Sequence, residues 1–131
     1  RYMTIGVWEP KSPSGLALEQ IRSVLSVVND VELSELALTL DDSFIESNSH
    51  LMNLDKSSWQ EAANLSSPEI ESLIRFFTLA EMQLPGWDGG DRNPVIYLAK
   101  ILKTRGKFGA ELKKWVKANT DNRYLPNGSV L

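Results

Sequence analysis

The chain contains no cysteine and a single histidine, His50. The first absence excludes disulfide scaffolds, thiol nucleophiles, Cys-ligated zinc and iron–sulfur clusters. The second excludes a His-rich metal site and a Cys/His catalytic pair, so no cofactor and no metal are expected. No apolar run approaches the roughly twenty residues that span a bilayer. No signal-peptide pattern is legible either, and Met3 reads as a candidate initiator behind Arg1-Tyr2. The expectation is a cytoplasmic protein without a membrane partner. Internal repeats and low-complexity tracts are also absent, which excludes solenoids and propellers.

What remains is ordinary in bulk. The 131 residues are 42% hydrophobic and 24% charged, the balance of a globular chain. At that length they form one compact domain with a radius of gyration of about 14 Å.

Apolar spacing is mainly helical. The clearest helix is expected over Pro68–Leu84, with Ser67 as N-cap, Pro68 at the first helical position, and Glu69 and Glu71 complementing the helix dipole. Ile70, Leu73, Ile74, Phe77 and Ala80 form its stripe, broadened by Phe76 and Leu79, so this helix should be central. A first helix is expected from about Pro13, capped by Ser12, to Val28. Residues Val31–Leu40 fit both a helix and an alternating strand; Glu32 and Glu35, with Asp30 as a candidate cap, favour helix. A short helix should surround Trp59, Ala62 and Ala63. Asn93 and Pro94 open another helix that Gly106 stops, and Phe108, Leu112, Trp115 and Val116 mark a last one. Alternation at Met3, Ile5 and Val7 suggests an N-terminal strand, and Leu125-Pro126-Asn127-Gly128 suits a turn. The fold class is therefore mostly all-α: a single domain of five or six helices with a short strand at its start.

The most unusual feature is the charge distribution. Residues 1–91 carry five basic and fifteen acidic side chains, a net of −10, whereas residues 92–131 carry nine and two, a net of +7. Lys100, Lys103 and Lys107 should share one face, and Lys113, Lys114 and Lys117 the polar side of the last helix. Such a surface suits an acidic protein partner or nucleic acid. The alternative is a pair of solvated faces neutralised by the acidic helices. A helix-turn-helix comparison fails, because the Thr104–Gly109 turn is followed by Glu111 and by Lys where base-reading Asn, Gln and Ser would be needed, and arginine is scarce.

The second feature is the loop Pro85–Pro94, which holds Gly86, Gly89, Gly90, Asp88 and Asp91. Glycines before a helix can present amides to an anion, yet the Lys-Ser/Thr of a P-loop is missing and the aspartates would repel phosphate. EF-hand spacing is missing too. Trp87 is either core or a docking side chain. His50 reads as a surface residue, Asp41-Asp42 as a solvated turn, and no nucleophile elbow surrounds any serine. Trp59 and Trp115 read as core.

The functional expectation is a non-enzymatic interaction or regulatory protein that binds a partner through Trp87, Asp88, Asp91, Arg92, Lys100, Lys103, Lys107, Lys113, Lys114 and Lys117. Nucleic-acid binding by the same lysines is the alternative. A small-ligand or enzymatic pocket beside the 85–94 loop is a third, weaker reading.

Overall fold

The structure, a computed structural model, describes residues 17–54, 56–122, 124 and 125. Among these residues there are six α-helices: α1 (Leu18–Asp30), α2 (Leu36–Thr39), α3 (Asp42–Asn48), α4 (Ser67–Gln83), α5 (Pro94–Thr104) and α6 (Ala110–Ala118). A nine-residue 3-10 helix, Lys56–Asn64, acts as a seventh. The all-α expectation holds, with slightly more helices than the five or six foreseen. No strand occurs among the described residues; the expected strand at Met3–Val7 and the turn after Leu125 lie outside them.

Helix α4 is central, packing against α5, α1 and α2. Ile70, Leu73, Ile74, Phe76, Phe77 and Ala80 are all fully buried on it. Its start differs from expectation by one residue. Ser66, not Ser67, is the N-cap: its Oγ accepts from the Glu69 N–H at 3.3 Å, while Glu69 Oε1 accepts from the Ser66 N–H at 2.8 Å. This reciprocal pair is a capping box, and the Ser-x-x-Glu spacing that permits it begins at residue 66. Ser67 instead accepts from Arg105 Nη1 at 3.1 Å. Arg105 also donates through Nη2 to the Ala63 carbonyl at 2.8 Å, pinning the end of α5 across the 63–67 junction.

Helix α1 begins at Leu18, not near Pro13, because Ala17 is extended with φ −73° and ψ 150°. Ser12 lies outside the described residues. Residues Leu33–Glu35 form a 3-10 turn that runs into α2, so helix prevails over strand in this segment. Asp30 ends α1 and does not cap the 3-10 turn after it. Gln83 on α4 fixes the segment: its Oε1 accepts from the Leu36 N–H at 2.8 Å and its Nε2 donates to the Leu33 carbonyl at 2.8 Å.

Helix α5 begins as its sequence implies. Asn93 is buried and its Oδ1 accepts from the Val95 N–H at 2.8 Å, with Pro94 following. It ends at Gly106, whose φ of +70° is a left-handed value costly to other residues. There the Lys107 N–H reaches the Leu102 carbonyl and the Gly106 N–H the Lys103 carbonyl, closing a Schellman motif.

Candidate functional site

The Pro85–Pro94 loop is folded inward. Trp87 is 0% exposed, and its Nε1 donates to the Ile45 carbonyl at 3.1 Å. Its ring stacks on Phe44 at 6.5 Å and meets the edge of Phe76 at 6.0 Å. Phe76 touches Phe77 at 5.1 Å and Phe77 touches Trp59 at 5.5 Å, so five aromatic rings run through the core. The docking expectation for Trp87 is therefore corrected. An indole with a backbone acceptor and ring neighbours on both sides has nothing left to offer a partner.

The amides of the same loop do face an anion, and that anion is the chain's own Glu81. Its Oε2 accepts from the N–H groups of Gly89 at 2.7 Å and Gly90 at 3.1 Å. Its Oε1 accepts from Asn93 Nδ2 at 3.0 Å and from Asn122 Nδ2 at 2.9 Å. Gly89 is required here by space, since a Cβ would lie 2.8 Å from the Asn93 Cα and 2.9 Å from the Met52 carbonyl oxygen. Gly90 is required by conformation, at φ +55°. With the Gly89 and Gly90 amides taken, the loop is a helix connection. Asp88, Asp91 and Arg92 remain exposed at its surface, and Arg92 Nη1 donates to the Asn53 carbonyl at 3.4 Å. Asn93 is the cap, and Asp91 sits in the 3-10 turn Gly90–Arg92.

Sequence reasoning missed Glu81, although a signal was present. A carboxylate in the last turn of a helix faces the negative end of the dipole, and such a placement calls for donors from elsewhere.

Lys100, Lys103, Lys107, Lys113, Lys114 and Lys117 are all exposed. Between described residues the ion pairs are Arg22–Glu69 at 3.4 Å and Arg75–Glu71 at 2.8 Å. Lys100, Lys107, Lys113, Lys114 and Lys117 take part in none among the described residues. Lys103 places its Nζ 5.9 Å from the centre of the Phe108 ring. Lys107 does not continue the α5 face as expected. It lies beyond Gly106 in the turn that leads to α6. Trp115 is half-buried and not core, with the Arg75 guanidinium 4.7 Å from its ring centre.

An open groove of about 380 Å³ lies between the Lys56–Asn64 helix and α5. Trp59, Gln60 and Ala63 line one side, and Tyr97, Lys100 and Ile101 the other. Residues of the 85–94 loop do not line it, so the expectation of a cavity beside that loop is not met by this one. Trp59 is 2% exposed and its Nε1 is buried without a hydrogen-bond partner among the described residues. No signal in the sequence marked this groove, because its two walls come from segments about forty residues apart.

His50 is exposed, as are Asp41 and Asp42. Among the described residues no three His, Cys, Asp or Glu side chains gather to hold a metal, and no helix is long and apolar enough to cross a membrane. A displaced titration is found at Glu69. Its carboxyl is held below its ordinary value, first by the hydrogen bond from the Ser66 backbone, then by the Ser66 hydroxyl and Arg22, against an opposing effect of desolvation. This belongs to a helix cap, not to a reaction site. The chain matches no family model, no curated protein and no solved structure.

Proposed function

We propose that this is a non-enzymatic interaction protein that holds an acidic protein partner against the lysines of α5, α6 and the turn between them. One observation carries the reading: Lys100, Lys107, Lys113, Lys114 and Lys117 are exposed and in no ion pair among the described residues. Lysines that merely balance an acidic neighbour would approach its carboxylates within the chain. Like charges inside a Debye length of about 8 Å cost stability in the compact state, and binding a polyanion offsets that cost.

An acidic protein fits this surface better than nucleic acid does. The cations of the patch are lysines, which act as point charges and read base edges poorly. Trp115, the aromatic ring on α6, is already covered by Arg75.

The test compares wild type with Lys107→Gln/Lys113→Gln/Lys117→Gln on immobilised poly-L-glutamate and on a DNA duplex. The reading expects earlier salt elution of the variant from polyglutamate, and a melting temperature equal to or above wild type. Unchanged elution with a lowered melting temperature would make the lysines structural and end the proposal. A variant effect confined to DNA, with a steep salt dependence, would replace the acidic protein by nucleic acid.

A further inference from the structure

The groove beside Lys100 has properties that the lysine reading alone does not use. Trp59, Ala63, Tyr97 and Ile101 make it largely apolar. Its volume of about 380 Å³ is at the low end of ligand pockets, which hold about 300–1,000 Å³ and enclose about 70–90% of a small molecule. This one is open along its length, so it cannot enclose a free ligand. A side chain carried on a partner's backbone brings its own support and needs only a slot. An aromatic side chain, which buries about 150–250 Å², suits a slot lined by the half-buried Tyr97 ring and by the little of Trp59 that is exposed.

Charge selects the partner. Lys100 stands on the groove's rim, exposed and in no ion pair among the described residues. It is also the first in sequence of the six exposed lysines of residues 92–131. A chain segment crossing the groove therefore finds an apolar slot with an exposed cation, Lys100, in its lining.

We propose that the groove is the anchor pocket for an acidic peptide segment of the partner. One aromatic side chain of the segment enters between Trp59, Ala63, Tyr97 and Ile101, and a neighbouring carboxylate pairs with Lys100. The inference rests on the lysine face being the acidic-partner surface. Buried aromatic anchors surrounded by weaker polar contacts are the usual distribution of energy in protein interfaces.

The experiment uses two fluorescein-labelled peptides, Glu-Asp-Trp-Glu-Asp and Glu-Asp-Ala-Glu-Asp, with the full chain and anisotropy as readout. The tryptophan peptide should bind wild type at least tenfold more tightly than the alanine peptide. Ala63→Leu fills the slot at an exposed position and should abolish that preference while leaving the alanine peptide's affinity unchanged. Lys100→Gln should weaken both peptides, the tryptophan peptide more. The Lys107→Gln/Lys113→Gln/Lys117→Gln variant should weaken both by the same factor. Equal affinity of the two peptides for wild type, or a preference that survives Ala63→Leu, overturns the groove and spares the lysine reading. Binding that ignores the three lysines, or no binding by either peptide, overturns the lysine reading and the groove with it.

Discussion

The indole of Trp87 donates to the carbonyl of Ile45 across 42 residues of sequence, at 3.1 Å. The indole of Trp59, equally deep, has no acceptor among the described residues. The two tryptophans thus occupy one aromatic core with opposite hydrogen-bonding states. Replacing each by Phe removes similar volume but a different polar group. Trp87→Phe leaves a carbonyl without its donor, whereas Trp59→Phe removes a donor that had no partner. Urea denaturation should show Trp87→Phe more destabilising by about 1–2 kcal/mol. Equal losses would mean that ring packing alone matters at both positions.

The cap of α4 gives a second comparison between neighbours. Ser66→Ala removes the hydroxyl that receives the Glu69 N–H and should cost about 1 kcal/mol. Ser67→Ala removes only an acceptor for Arg105 and should cost less. Melting temperatures in the reverse order would put the cap back at residue 67.

Glu69 makes the cap sensitive to acid. Its carboxyl titrates below its ordinary value of 4.5 in the folded chain, so at mildly acid pH the unfolded state binds more protons there than the folded state. The stabilisation is complete above about pH 5–6 and disappears as pH falls through the lowered value. Glu69→Gln should therefore flatten the fall in stability as pH drops below about 5 and through the lowered value. Parallel curves for wild type and variant would remove the cap from the acid response.

Glu81 is the residue whose loss should spread furthest. Glu81→Ala leaves the Gly89 and Gly90 amides and the Asn93 side chain without their acceptor, while Asn122 keeps only the Gly90 carbonyl, and should cost about 2–4 kcal/mol. Glu81→Gln keeps the volume but turns one acceptor into a donor facing N–H groups, and should fall between alanine and wild type. Chemical denaturation of the three proteins checks the order.

These features divide by how far apart their partners lie in the chain. The stripe of α4, the Asn93 cap and the Gly106 stop depend on neighbours within about one turn, and residue order shows them directly. The start of α1 departs from its local pattern because Ser12-Pro13 is a good cap sequence whatever the backbone does at Ala17. The helical state of Val31–Leu40 is fixed by Gln83, some fifty residues on, which no local pattern reveals. Glycines and aspartates surround Trp87 in sequence and suggest exposure, but Phe44, Ile45 and Phe76 surround it in space. The lysines are legible as a charge excess, but that Lys100, Lys107, Lys113, Lys114 and Lys117 stand in no ion pair among the described residues is not. The groove is invisible in residue order, since a concavity exists only once both of its walls are placed.

Arg105 has a consequence for that groove beyond holding two helices together. Its guanidinium grips the Ala63 carbonyl and the Ser67 hydroxyl while its backbone caps α5. Ala63 belongs to one wall and α5 supplies the other. The width of the slot is thus set by a crossbar inside the protein, before anything enters it. A guest meets walls whose ordering was completed when the chain folded, and its binding carries little of the entropic cost of shaping a site.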